Sequence, residues 1–147
     1  MDWKALINAE IEARRDQLEH LAITIGNNPE LGFAEGKASR LLASALNKAG
    51  FKITQPIAGM NTAFKGSLGA GRPNVALLCE YDALPNLGHA CGHNLIGVAS
   101  VGAALGLAPF LANLGGSVTV LGAPAEETGG GKVILVKAGF FADVDAA

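Results

Sequence analysis

The chain has 147 residues, half of them apolar, which suffices for one domain around a packed core and excludes a disordered or fibrous protein. A formal charge of −2, with eleven Lys and Arg scattered along the sequence, excludes the clustered basic surface that nucleic-acid phosphates require. Two cysteines, Cys79 and Cys91, and a start Met-Asp-Trp-Lys-Ala without an apolar signal core point to a reducing, cytoplasmic setting rather than to export and a disulfide.

From Trp3 the apolar residues Leu6, Ile7, Ile11, Leu18, Leu21, Ala22 and Ile25 recur at helical steps, with charged residues on the other face. The pattern predicts one amphipathic surface helix, capped by Asp2 and stopped at Asn27-Asn28-Pro29. A second helix is predicted from about Lys37 to Ala49, with Leu41, Leu42, Ala45 and Leu46 inward and Gly50 in the left-handed closing position. Phe51 to Gln55 and Thr62 to Ser67 read as short strands. A turn at Gly69 to Pro73 leads into Asn74 to Cys79, a continuous apolar run that predicts an inner strand covered on both faces.

Leu95 to Leu114 carries no charge, has the length of a membrane span and contains Gly102-Ala-Ala-Leu-Gly106. Pro109, the glycines at 97, 102 and 106, and the lack of flanking Lys, Arg or aromatic anchors favour instead a helix buried on all sides in a globular protein. Ser117 to Ala123 reads as a second inner strand, and Lys132 to Ala138 as a last helix ending at Gly139. The expected fold class is α/β: a mixed sheet with a parallel pair across the buried helix, flanked by helices. No internal repeat or linker interrupts residues 1–147.

Two polar segments follow the two inner strands, where ligands gather in open α/β sheets. The first holds Asp82, His89, Cys91 and His93, with Gly88 and Gly92 allowing tight turns. A thiolate and an imidazole at C-x-H spacing, with acids nearby, suit a zinc-like ion better than magnesium or calcium. Alone, Cys91 and His93 read equally as a loop cysteine beside a helix-capping histidine. His89 is a further ligand or the partner of one. Asp82 can ligate a metal or fix the tautomer of a ligating histidine, its plain reading being a turn-capping acid; Glu80, at the strand terminus, ranks below it.

The second segment is Pro124-Ala-Glu126-Glu127. Adjacent carboxylates at a strand end need a cation or one raised pKa. With a metal present, one coordinates and the other takes a proton from water; without one, they are a solvated loop pair. Gly129-Gly130-Gly131 can bring amides close to a substrate but does not match a phosphate-binding loop. His20 lies on a polar helix face, and Cys79 reads as core.

Pro29-Glu-Leu-Gly-Phe33, Tyr81-Asp-Ala-Leu-Pro85, Gly88-His-Ala-Cys-Gly-His93-Asn94 and Pro124-Ala-Glu-Glu127 resemble the dinuclear-metal amidohydrolases of the aminoacylase and carboxypeptidase superfamily, most of all the branch of p-aminobenzoyl-glutamate hydrolase and the dipeptidase-like amidohydrolases. The resemblance implies cleavage of an amide bond in an N-acyl amino acid or dipeptide. It implies Cys91, His93 and Glu127 as metal ligands, Glu126 as general base and Asp82 in a supporting catalytic role, with two zinc ions, or manganese or cobalt. Many relatives carry Asp where this chain has Glu80 and Asn94. The resemblance further implies a chain that is the N-terminal part of a catalytic domain, lacking a lid and dimerisation domain and inactive alone, from a homo-oligomeric protein. It implies a small-molecule substrate, while the scattered charge and the interrupted apolar stretch lead to the expectation of no nucleic-acid or membrane partner. The other readings are a noncatalytic metal-binding or partner-binding α/β module and a membrane-associated protein using Leu95 to Leu114.

Overall fold

A computed structural model describes every residue from Met1 to Ala147. In chain order the elements are α1 (Trp3–Glu12), α2 (Arg15–Gly26), α3 (Gly36–Lys48), β1 (Lys52–Thr54), β2 (Phe64–Ala70), β3 (Asn74–Cys79), α4 (His93–Leu107), a 3-10 turn (Ala108–Phe110), α5 (Leu111–Leu114), β4 (Gly116–Gly122) and α6 (Gly131–Lys137).

The single N-terminal helix expected from periodicity is two helices. Asp2 caps α1 as predicted, its carboxylate accepting from the Ala5 amide at 3.1 Å. The chain then turns at Ala13 and Arg14, where the Arg14 guanidinium donates back to the Glu10 carbonyl at 2.8 Å. Ile7 and Ile11 of α1 reach Gly106 while Leu18 of α2 reaches Gly102, so the break lets both helices lie on α4. The close approaches explain the glycines there better than a membrane-packing motif does.

α3 buries Ala38, Ser39, Leu42, Ala43, Ala45 and Leu46 on one face. Its first turn is capped from a distance, the Glu30 carboxylate accepting from the amides of Lys37 and Ala38 at 2.9 and 2.8 Å. Glu30 thereby ties the Pro29–Phe33 segment to the helix.

The sheet has the order β1-β2-β4-β3; β1–β2 and β2–β4 are antiparallel, and β3–β4 is the expected parallel pair. β4 is an inner strand whose pleat sends Val118 and Val120 to the larger core and Leu121 to a smaller one. β3 departs from expectation: it is an edge strand, with only a bridge from Val75 to Ala146 on its outer side, and Val75 is 36% exposed. Both of its faces are still covered as expected, Leu77 and Cys79 by the larger core and Leu78 by the smaller.

The larger core fills the space between the sheet and α2, α3 and α4, with Leu42, Leu46, Phe64, Val101 and Leu105 almost fully buried. Each such side chain contributes about 1.5–3 kcal/mol. Leu135 of α6 joins Ile57, Met60, Leu121 and Ala123 on the opposite face. Expected to be buried all round, α4 leaves Leu95 and Ile96 of its first turn 61% and 39% exposed, while Val101, Ala104 and Leu105 further along are buried. The run His93–Leu114 is long and apolar enough to cross a membrane, but Pro109 breaks it into the 3-10 turn, and α4 rests on β3 and on α1, α2 and α3.

Candidate metal centre

β3 and β4 end level with one another, Cys79 opposite Gly122, and the Ala123 amide still donates to the Cys79 carbonyl at 2.8 Å. The segments carrying His93 and the Glu pair therefore leave the sheet side by side. His93 is the first residue of α4, preceded by Gly92 at φ +78, a conformation that glycine adopts without strain. It is 4% exposed.

The His93 ring lies with Nδ1 3.0 Å from the Asp82 carbonyl oxygen. Nδ1 is also 3.0 Å from Asp82 Oδ1, but that carboxylate oxygen has no aligned donor, so the ring proton is assigned to the carbonyl contact. Nε2 then carries the lone pair and faces three carboxylates, at 3.5 Å from Glu80, 3.8 Å from Glu126 and 3.9 Å from Glu127. Ligand atoms of His93, Glu126 and Glu127 lie within 4.8 Å of one another, a cluster fit for one cation. Cys91 is exposed beside it, and hydrogen bonding with Glu127 pushes its thiol pKa up, so the thiol form is favoured until a cation displaces the proton.

Asp82, 1% exposed, supports both halves of the cluster. Its carbonyl sets the His93 tautomer, and its Oδ2 accepts from the Glu127 amide at 3.0 Å. The support to His93 thus comes from its backbone, not from the carboxylate that sequence reasoning put forward. Glu80, the carboxylate nearest to Nε2, is paired through its other oxygen with the Lys132 ammonium, which stands 3.7 Å from Glu126. That hydrogen bond to Glu80 keeps the Lys132 pKa above its ordinary value. Sequence reasoning missed Lys132, since a single lysine at the start of a helix carries no signal.

Three buried side-chain atoms have no hydrogen-bond partner: Asp82 Oδ1 and both ring nitrogens of His89. All belong to this cluster. Burial, and then the neighbouring His93, push the His89 pKa down, which keeps its ring neutral. Unpaired buried polar atoms are rare, and beside the converging nitrogen and carboxylate donors of His93, Glu126 and Glu127 they fit a cation-binding site, although the Cys91 sulfur is not among the converging atoms. Cys79 is fully buried, with its thiol pKa raised by desolvation, and His20 is exposed; both readings as bystanders agree with the structure. Two amides of the glycine run are engaged within the loop, Gly129 and Gly130 donating to the Ala125 carbonyl at 2.9 and 2.8 Å.

Sequence reasoning also missed Glu35, which is fully buried. Its carboxylate accepts from the Ala125 amide and from the Thr62 hydroxyl, each at 2.8 Å. Ala125 has φ +56, a left-handed conformation that costs a residue with a Cβ about 1–3 kcal/mol. Burial pushes the Glu35 pKa up, while the hydrogen bonds that it accepts pull the other way.

An α/β sheet with carboxylates and an imidazole converging at the ends of a parallel strand pair is an arrangement that can hold a catalytic metal ion. Comparison with known proteins narrows this. No family model matches the chain. It is 41% identical over 160 residues to a p-aminobenzoyl-glutamate hydrolase chain of Escherichia coli, a match covering 96% of this chain and 33% of that protein. It is 41% identical over 150 residues to the mouse Xaa-Arg dipeptidase, covering 92% of the chain and 35% of the relative. The chain thus spans about a third of the length of the curated relatives it matches. Among solved structures, a Bacillus subtilis dinuclear metal binding peptidase from the M20 family superposes with TM-score 0.80 at 26% identity, over 90% of this chain and 41% of that one. The aminobenzoyl-glutamate utilization protein of Klebsiella pneumoniae shares the fold, with TM-score 0.78 at 20% identity over 95% of this chain and 45% of that one. Over its own length the chain is thus similar to curated hydrolases named for an amino-acid conjugate and a dipeptide, and its fold is that of a peptidase from the M20 family.

Proposed function

We propose that this chain supplies the first half of a dinuclear metal site that hydrolyses an amide bond in an N-acyl amino acid or dipeptide. The observation that carries the reading is the His93 Nε2 lone pair facing Glu126 and Glu127 at the ends of β3 and β4. Cys91, His93 and Glu127 would hold a divalent cation, with Asp82 fixing His93 and the Glu127 backbone from behind. A thiolate in the donor set favours zinc, with manganese or cobalt as alternatives. A bound divalent cation acidifies water and polarises the substrate carbonyl.

Glu126, about one-third exposed, is placed to accept the proton of the attacking water at its carboxylate. The water oxygen bonds to the carbonyl carbon. Glu126 then delivers the proton to the amide nitrogen as the C–N bond breaks, leaving an acid and an amine. Lys132, 3.7 Å from Glu126, sets a positive charge beside that carboxylate. The relatives named for p-aminobenzoyl-glutamate and Xaa-Arg substrates supply the candidate substrates. The remaining donors and the specificity pocket would come from outside residues 1–147, a reducing compartment would keep Cys91 available, and the complete protein would be a homo-oligomer without membrane or nucleic-acid partners.

In the complete protein, Glu126→Gln should retain its metal and lose ~10²–10⁴-fold in turnover of p-aminobenzoyl-glutamate or an Xaa-Arg dipeptide, because the amide cannot take the proton. Metal content and turnover measured together check this. Near-normal turnover at full metal occupancy removes Glu126 as the base, and full occupancy of the unaltered protein without hydrolysis favours a binding module. The isolated chain, with three donors from two loops, should hold cobalt weakly and hydrolyse neither substrate.

A further inference from the structure

The Pro29–Glu35 segment ligates nothing in the proposed site, yet it lies between the two loops that do. Leu31 bridges Ala83, and the Ala83 amide donates to the Glu30 carbonyl at 2.8 Å, which fastens the segment to the residue after Asp82. On its other side, a Cβ at Gly32 would collide with Ala125 and Thr128, and one at Gly129 with the Phe33 ring. The backbones of the two loops are in direct contact. From this cradle Glu35 reaches Ala125, one residue before Glu126.

We infer that Glu35 is a positioning residue, whose buried carboxylate holds the Ala125 amide in its left-handed turn and thereby aims Glu126 and Glu127 at the His93 side of the site. The Thr62 hydroxyl locks the second carboxylate oxygen, and Tyr81, stacked on Phe64, donates to the Thr62 carbonyl at 2.6 Å. Thr62 and Tyr81 are 5% and 0% exposed, so this chain of contacts is shut off from competing water. The Ala125 carbonyl is occupied as well, by the Gly129 and Gly130 amides, which leaves the loop one way to fold. Ala125 at φ +56 would relax toward the right-handed region if its amide were released, turning the following two side chains away from Nε2 of His93. Position, rather than the Glu35 charge, does this, because an amide oxygen can accept the same hydrogen bond.

The inference rests on the proposed metal site, and its test separates the two. Hydrogen exchange followed by mass spectrometry and cobalt(II) titration are carried out on the 147-residue chain and its variants. In Glu35→Ala the amides of residues 125–130 should exchange markedly faster while those of α3 and β4 keep their rates, and cobalt affinity should fall ~10–100-fold, the usual cost of losing a group that orients a ligand. Glu35→Gln should restore both toward the native values. An equal rise in exchange across α3 and β4, a Glu35→Gln variant as impaired as Glu35→Ala, or native loop exchange in Glu35→Ala would each overturn the inference. If Glu35→Ala does not fold, Thr62→Val, which frees one carboxylate oxygen, should loosen the same six amides to a lesser degree, and native exchange there would overturn it equally. If the unaltered chain takes up no cobalt, the weak binding expected of the isolated chain fails while the exchange measurements still decide the role of Glu35.

Discussion

Glu35 keeps a carboxylate where burial opposes its charge, and its stability contribution therefore depends on pH. Its pKa in the folded chain is raised above the ordinary value of 4.5, chiefly by desolvation. A raised folded-state pKa means that the native state binds the proton more tightly than the unfolded chain. The associated stability is full below the unfolded pKa and is lost as pH rises through the folded one. The gain in unfolding free energy from Glu35→Gln, which cannot ionise, should accordingly be larger at pH 7 than at pH 4. Urea unfolding of both proteins across that range measures it, and a difference that does not change with pH would show that the carboxyl titrates alike folded and unfolded. Residue type and spacing made Cys91, His93, Glu126 and Glu127 legible as candidates. Nothing local distinguished Glu35 or Lys132, because their roles come from partners 90 and 52 residues away along the chain.

The element that sets the site is α4, since its first residue is His93 and its buried face lies on β3, the strand that ends at Cys79. Gly97 permits that contact: a Cβ there would stand 2.6 Å from the Glu80 carbonyl oxygen and 3.6 Å from the Cys79 sulfur. Gly97→Ala should destabilise the chain by about 1–3 kcal/mol, as overpacked interfaces do, despite the better helix propensity of alanine. Unchanged or increased stability in chemical denaturation would mean that α4 can slide away from β3 at no cost. At this scale most of the fold was legible. Strand and helix periods and the apolar faces located α3, β3, β4 and α6 within a few residues. The break between α1 and α2 was not, because one continuous amphipathic stripe fits a straight helix equally well and only the surface of α4 demands the turn.

Across the whole molecule the edge strand β3 is fastened by residues far along the chain. Asp145 Oδ2 accepts from the Asn74 amide at 2.7 Å and its other oxygen pairs with Arg72, while the Ala76 amide donates to the Ala146 carbonyl at 2.8 Å. Asp145→Ala should cost about 1 kcal/mol, the ordinary net worth of a hydrogen bond, since solvent screens the exposed Arg72 partner. Thermal unfolding of the variant checks this, and an undiminished melting temperature would reduce the contact to a surface pairing without energetic weight.

What the sequence by itself determined is the run of helical and strand patterns, the Asp2 cap and the two polar segments that carry the donors, because each is written in patterns a few residues long. Its position at the end of an apolar strand also marked each polar segment as the place for chemistry. Only the tertiary structure decided that β3 lies at the edge, that the Asp82 carbonyl rather than its carboxylate selects the His93 tautomer, that Lys132 claims Glu80, and that Glu35 restrains Ala125. Those outcomes depend on which distant backbones meet in the folded chain, and a hydrogen bond between residues 90 positions apart leaves no periodicity in the sequence that joins them.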